Sequence, residues 1–168
     1  MSSLWHHVAI QVSDLDGAIG FYTDVLDGRV LTAAREVGPP QAAEVMGGPA
    51  GLRFRVCRLA FDAGCLELFE FLGSGEEVPA WALDRRTARV PHFGVHVADV
   101  AETLERIERA GGRRLWQHAE QWGSAHTMYV ADPDGNVFEL CDTSLEELVD
   151  ILLVLYAEED ARRPLADR

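Results

Sequence analysis

The sequence predicts an α+β fold: two βαβββ modules forming a curved mixed sheet, with an added C-terminal helix. Three observations carry this. The stretch His7-Val8-Ala9-Ile10-Gln11-Val12-Ser13-Asp14-Leu15 is matched position by position by His92-Phe93-Gly94-Val95-His96-Val97-Ala98-Asp99-Val100. Each copy is followed later by an acid between apolar residues, Leu66-Glu67-Leu68 and Phe138-Glu139-Leu140. Between these landmarks, strand and helix signals recur in the same order in both halves.

The elements follow in turn. Trp5 to Val12 alternates and is rich in β-branched residues, a strand pattern. His6, Val8, Ile10 and Val12 share one face, and Trp5, His7, Ala9 and Gln11 share the other. The Val/Ile face suits packing on a helix, so the His7 face points into whatever the sheet encloses. A helix is expected from Asp14, its N-cap, to Asp27-Gly28, with Leu15, Ile19, Phe21, Tyr22, Val25 and Leu26 at helical spacing. A short strand near Val30 to Ala33 follows. A loop bracketed by Gly38-Pro39-Pro40 and Gly47-Gly48-Pro49 holds a helical turn around Ala42 to Met46. Leu52 to Phe61 and Cys65 to Phe71 form a hairpin around Asp62-Ala63-Gly64.

The second half repeats the order: a strand from His92 to Val97, a helix from Val100 to Ala110 ended by Gly111-Gly112, a short strand near Arg114 to Trp116, then strands Thr127 to Ala131 and Asn136 to Cys141. Asp132-Pro133-Asp134-Gly135 marks the last turn. One such module leaves its curved sheet half open, so two must pair, within a chain or between chains. The expected division is 1–72 for the first module, 73–89 for a polar linker with a short helix at Val78 to Leu83, 90–142 for the second module, 143–160 for the helix and 161–168 for a charged tail. The last helix, Ser144 to Glu158, is apolar around most of its circumference, which suits either a further layer on its own domain or a subunit contact.

Bulk composition narrows the function. The chain has 168 residues, 48% hydrophobic, with a net charge of −13. A sizeable core is therefore available, and such a surface repels phosphate backbones and anionic membranes, so no nucleic-acid or membrane partner is expected. The three cysteines show no CxxC spacing, and no basic-plus-apolar leader precedes the first strand. The expectation is a cytoplasmic protein with free thiols.

The residues that carry chemistry emerge from strand alternation. His7 lies opposite the core-facing Val8 and Ile10; His92, Gly94 and His96 lie together opposite Phe93 and Val95. Cys65, Glu67 and Phe69 share a face, as do Val137, Glu139 and Cys141. An acid flanked by core-facing leucines is costly unless paired or metal-bound, and this chain has that arrangement twice. Of Arg53, Arg55 and Arg58, Arg55 joins the Glu67 face if the three-residue loop sets Phe61 opposite Cys65; a slip of one residue sends Arg58 there instead. Arg55 is the expected partner for an anionic substrate group.

These patterns resemble the vicinal oxygen chelate superfamily, the glyoxalase I and bleomycin-resistance group. The residues that carry the likeness are His7 to Leu15, the Phe21-Tyr22 to Leu26 stretch, Cys65-Leu66-Glu67-Leu68-Phe69, Pro91-His92-Phe93-Gly94-Val95 and Ala131 to Leu140. The resemblance implies a glyoxalase-like fold and makes His7, Glu67, His92 and Glu139 the ligands of one divalent metal ion per site: Zn, Ni, Co, Mn or Fe(II). Bleomycin-binding relatives typically lack this set, fosfomycin-resistance enzymes and extradiol dioxygenases use two His and one Glu, and methylmalonyl-CoA epimerases commonly carry Gln at the Glu67 position. The complete set therefore leans towards glyoxalase I. Gln11, where a bacterial glyoxalase I usually has arginine, and the absence of asparagine in Leu68-Phe69-Glu70-Phe71 point away from glutathione.

By this resemblance, a small substrate with vicinal oxygens chelates the metal, which stabilises an enediolate as a carboxylate removes the neighbouring proton. Glu139 is the first choice for that base and Glu67 the second, with Gln11, Arg55 and His96 contacting substrate. The implied activity is that of a metal-dependent isomerase, epimerase or lyase in a homodimer. The alternatives are an Fe(II)-dependent dioxygenase of the same superfamily and a non-catalytic protein that binds a drug or metabolite.

Overall fold

Alternation in the first nine residues of the repeat is realised as β1 (His7–Gln11) and β6 (Phe93–His96), each followed by a turn whose aspartate caps a helix. Asp14 accepts from the N–H groups of Asp16 and Gly17 at the start of α1 (Leu15–Leu26), and Asp99 accepts from Glu102 at the start of α3 (Val100–Arg109). An aspartate there satisfies donors that the first helical turn leaves without partners. The chain is described by a computed structural model over residues 7–46, 50–73, 92–115, 117, 120–122 and 124–162. Residues 74–91, which include the expected helix at Val78 to Leu83 and most of the linker, lie outside the described residues, as do Trp5, His6 and the end of the tail.

The first module continues with β2 (Arg29–Val30), β3 (Arg35–Val37), α2 (Gln41–Met46), β4 (Phe54–Phe61) and β5 (Gly64–Phe71). The second contains β7 (Arg113–Arg114), β8 (Glu120–Trp122), β9 (Ala125–Ala131) and β10 (Val137–Cys141), followed by α4 (Leu145–Arg162). The two sheets have the same topology: β1-β5-β4-β2 with β3 also on β4, and β6-β10-β9-β7 with β8 also on β9. In each, the opening strand runs parallel to the last strand of its module and the other pairings are antiparallel. The mixed two-module α+β architecture is the expected one. The strands β3 and β8 were not anticipated: each is three residues long on the edge of its sheet, too short to show a period.

One apolar core joins the modules. It contains Leu15, Phe21, Tyr22 and Val25 of α1, Leu59, Leu66 and Leu68 of the first sheet, Leu104 and Ile107 of α3, and Val130, Phe138 and Leu140 of the second sheet. The helices α1 and α3 pack on each other. Gly112 sits where this packing is tightest, because a Cβ there would stand 2.8 Å from the Ala131 carbonyl oxygen and 3.0 Å from the Phe21 ring. Since Leu66, Leu68, Phe138 and Leu140 face the core, alternation turns Glu67 and Glu139 to the opposite faces of their sheets.

The Asp132-Pro133-Asp134-Gly135-Asn136 turn fastens the second module onto the first. Tyr22 Oη donates to Asp132 Oδ2 at 2.9 Å, Asn136 Nδ2 donates to the Gln11 carbonyl at 2.9 Å, and the Ser13 N–H donates to Asp134 at 3.0 Å. Arg106 of α3 adds an ion pair with Asp27, the residue that closes α1 in the left-handed conformation (φ 56°).

A smaller apolar cluster of Val37, Ala42, Phe54 and Val56, with Phe69 and Phe71 against it, lies on the Glu67 face. The segment carrying β3 and α2 thus covers the end of that face away from His7. The capping box of α4 is formed: Glu147 N–H donates to Ser144 Oγ at 3.2 Å and Ser144 N–H donates to the Glu147 carboxylate at 3.0 Å. Leu145, Val149, Leu153 and Val154 of this helix are exposed, so these four do not form a layer on their own module.

Candidate functional site

Register assembles the site face row by row. In the first module Ala9 pairs with Glu67 across β1 and β5, and Glu67 pairs with Arg58 across β5 and β4. In the second module Gly94 pairs with Glu139, and Glu139 with Tyr129. The two small residues, Ala9 and Gly94, leave room beside the carboxylates. His7 pairs with Cys65, one alternation before the Glu67 row; His92 precedes the Glu139 row by the same step. Each histidine therefore reaches its glutamate diagonally. His7 Nε2 lies 3.6 Å from Glu67 Oε2, and His92 Nε2 lies 3.5 Å from Glu139 Oε2.

Those separations fit two donors on one cation. At about 2.0–2.2 Å from a tetrahedral zinc-like ion, neighbouring donors stand about 3.3–3.6 Å apart. The chemistry fits as well, since imidazole and carboxylate together suit first-row divalent metals. Glu67 is 8% exposed overall, which is costly for a carboxylate unless it is compensated. Here the Arg58 guanidinium compensates it, with Nη2 at 2.8 Å from Oε1. His92 is held differently, with its ring edge-on to Tyr129 at a centroid distance of 4.9 Å.

The four expected ligands do not meet within one chain. Among the described residues, no group of three or more His, Cys, Asp or Glu side chains converges on a common cation position. The chain instead carries two separate His–Glu pairs, His7 with Glu67 and His92 with Glu139, on sheet faces that look away from the shared helical core. Two cavities, of about 370 Å³ beside Asp142, Thr143 and Glu147 and about 350 Å³ between α3 and His126, lie elsewhere and include none of the four residues.

Arg55 is corrected by the register. The β4–β5 hairpin closes through a two-residue turn, Asp62-Ala63, with Phe61 opposite Gly64 and not opposite Cys65. That one-residue difference turns Arg55 to the far face, where it pairs with Glu70 at 2.8 Å and Asp16 at 2.9 Å, and brings Arg58 to Glu67. Gln11 and His96 occupy equivalent ends of β1 and β6, on the His7 and His92 faces, opposite Phe69 and Cys141. At the start of α4 the Glu147 carboxyl is lowered, chiefly by the Ser144 N–H and with a smaller contribution from His96.

Burial, helped by the charges of Glu139 and Asp142, pushes the Cys141 thiol up to about 11, so it stands protonated beside the site. Sequence reading passed over Tyr129 and His126. The signal for Tyr129 was its position opposite Glu139, equivalent to that of Arg58. His126 binds Asp142 through both its ring, at 2.9 Å, and its N–H, at 2.7 Å, on the face away from Glu139.

Comparison with known proteins agrees with this architecture. The family model described as Glyoxalase/Bleomycin resistance protein/Dioxygenase superfamily matches residues 5–140. The chain is 30% identical over 139 residues to a probable chloroplastic lactoylglutathione lyase of Arabidopsis thaliana, covering 81% of this chain and 35% of that protein; it spans well under half of that relative's length. It is 27% identical over 135 residues to a probable lactoylglutathione lyase of Vibrio parahaemolyticus, covering 80% of this chain and 86% of that protein. Among solved structures, a glyoxalase family protein from Bacillus cereus superposes with a TM-score of 0.72 at 17% identity, covering 84% of this chain and 94% of that one. The fosfomycin resistance protein FosX of Listeria monocytogenes, crystallised with Mn(II) and sulfate, superposes with a TM-score of 0.56 at 17% identity, covering 89% and 98%. The fold, the repeated strand–helix landmarks and the family match together show that this chain belongs to the Glyoxalase/Bleomycin resistance protein/Dioxygenase superfamily.

Proposed function

We propose that this chain is a metal-dependent enzyme of the glyoxalase type, an isomerase, epimerase or lyase acting on a small substrate with vicinal oxygens. The observation that carries the reading is the duplicated His–Glu pair, twice at about the same spacing and twice on the sheet face away from the core. The likeness to lactoylglutathione lyases at 27% and 30% identity supports it. His7, Glu67, His92 and Glu139 are the residues that would hold one divalent cation per site: Zn, Ni, Co, Mn or Fe(II).

Two donors from one half-site are fewer than such a cation takes. The reading therefore includes a homodimer in which His7 and Glu67 of one protomer close on the partner's His92 and the partner's Glu139. When bound, the cation supplies Lewis acidity to the chelating oxygens of the substrate. Glu139 takes the proton from the carbon beside the carbonyl, because the Arg58 guanidinium already engages Glu67. Returning that proton to the adjacent carbon gives isomerisation, and returning it to the same carbon from the other face gives epimerisation. Gln11 and His96, at the two equivalent strand ends, border the substrate.

Elemental analysis of purified protein supplied with metal tests this. The expected result is one divalent cation per protomer, lost in Glu139→Ala. Protein with no stoichiometric cation would sink the reading, and a strict dependence of turnover on dioxygen would move the chain to the dioxygenase class.

A further inference from the structure

The ligand pairs are duplicated, but their cross-strand neighbours are not. Glu67 faces Arg58 and Glu139 faces Tyr129. The three arginines around β4 divide accordingly. Arg53 is paired with Glu36, and Arg55 with Asp16 and Glu70. Arg58 is paired with the carboxylate assigned to the cation, and its side chain is 46% exposed, so its outer donors are open to the face on which a substrate would lie.

Two glutamates offset a divalent cation, and neutral imidazoles add nothing. Arg58 then leaves each assembled site with one positive charge in a protein whose overall charge is −13. A guanidinium offers five N–H donors in a planar fork, which matches a carboxylate through two parallel hydrogen bonds. Tyr129, the counterpart in the other half-site, brings no charge.

We infer that Arg58 is the anion receptor of this site and that the substrate carries a carboxylate next to its two chelating oxygens. The substrate class is thus a small hydroxy or oxo acid with a free carboxylate beyond the chelate. This inference rests on the metal-site reading above. It selects Arg58 over Arg55 and separates anionic substrates from neutral ones that chelate equally well.

The experiment is calorimetric titration of the Mn(II)-loaded dimer with two probes. Tartronate has a hydroxyl–carboxylate chelate plus a second carboxylate, and glycolate has the chelate alone. Wild type is expected to prefer tartronate by about tenfold or more, the scale of a charge-assisted bidentate contact. In Arg58→Met that preference collapses towards unity, and Arg58→Lys, which keeps the charge but loses the fork, falls between. A preference unchanged in Arg58→Met overturns the inference, because the cation alone then accounts for it. Should the Met variant fail to fold, Arg58→Lys decides: a reduced preference supports the assignment and an unchanged one overturns it. Metal content measured before titration keeps the two claims apart, since protein that holds no cation defeats the metal-site reading itself, whereas loaded protein indifferent to Arg58 defeats only this inference.

Discussion

The Tyr22 hydroxyl donates to Asp132 Oδ2 at 2.9 Å, joining residues 110 positions apart in the sequence. Tyr22 lies on α1 and Asp132 opens the turn before β10, so this buried hydrogen bond helps to tie the two modules beside their shared core. Neither the ring nor the carboxyl reaches solvent appreciably. Tyr22→Phe should therefore cost about 1.5–3 kcal/mol, the range for a hydrogen bond to a charged group. Urea unfolding followed by circular dichroism checks this, and a cost near zero would show that the turn is held by its other contacts.

The same pair sets a pH dependence. Burial raises the Asp132 carboxyl above its ordinary value, although donors from Asn136 and Tyr22 pull it back down. Because the folded value is the higher one, the contribution of Asp132 to stability is complete below its unfolded pKa of about 3.9 and is lost as pH rises through the folded value. Removing the Tyr22 hydroxyl raises the folded value further. The stability deficit of Tyr22→Phe is thus expected to widen between about pH 4 and pH 7. Equal deficits at both ends would contradict the assignment.

The proposed sharing of one cation between two protomers predicts complementation between chains. His7→Ala/Glu67→Ala protein and His92→Ala/Glu139→Ala protein should each bind no stoichiometric cation. After mixed refolding, half of randomly paired dimers are hybrids with one intact site of two, so about a quarter of all sites should regain metal. Recovery of none would mean that the four ligands are not shared between protomers.

Arg58 engages the same Glu67 carboxylate that is proposed to bind the cation. Arg58→Met removes that competitor and a neighbouring positive charge, so metal affinity should rise by about two- to fivefold, the scale of a partly exposed ion pair. Competition against a chromogenic chelator measures it. Weaker binding in the variant would mean that Arg58 positions Glu67 for the cation.

Glu139→Ala should abolish metal retention and turnover while leaving the fold intact. Its side chain is 18% exposed and its removal leaves no charge stranded in the core, so the change in stability should stay within about 1 kcal/mol. A thermal melt separates this outcome from simple unfolding.

Much of the architecture was legible because alternation and capping are local. The period of two along β1 and β5 is enough to set His7 and Glu67 against the core-facing leucines, and Asp14 announces its helix through side-chain geometry alone. Register is not local. Whether Arg55 or Arg58 faces Glu67 turns on one residue in the Asp62-Ala63 turn, and turn geometry is settled by the packing of both strands at once. Tyr129 was missed for the same reason, since its significance lies only in what stands opposite it.

The sequence by itself determined the two-module α+β plan and the two repeated His–Glu pairs, because both are written in short periods and in the repeat. Only the tertiary structure decided that the pairs stand apart within one chain, that Arg58 is the cation beside Glu67, and that four apolar residues of α4 are left uncovered. Those outcomes depend on how the sheets pack around the α1–α3 core, a balance of long-range contacts that no local pattern encodes.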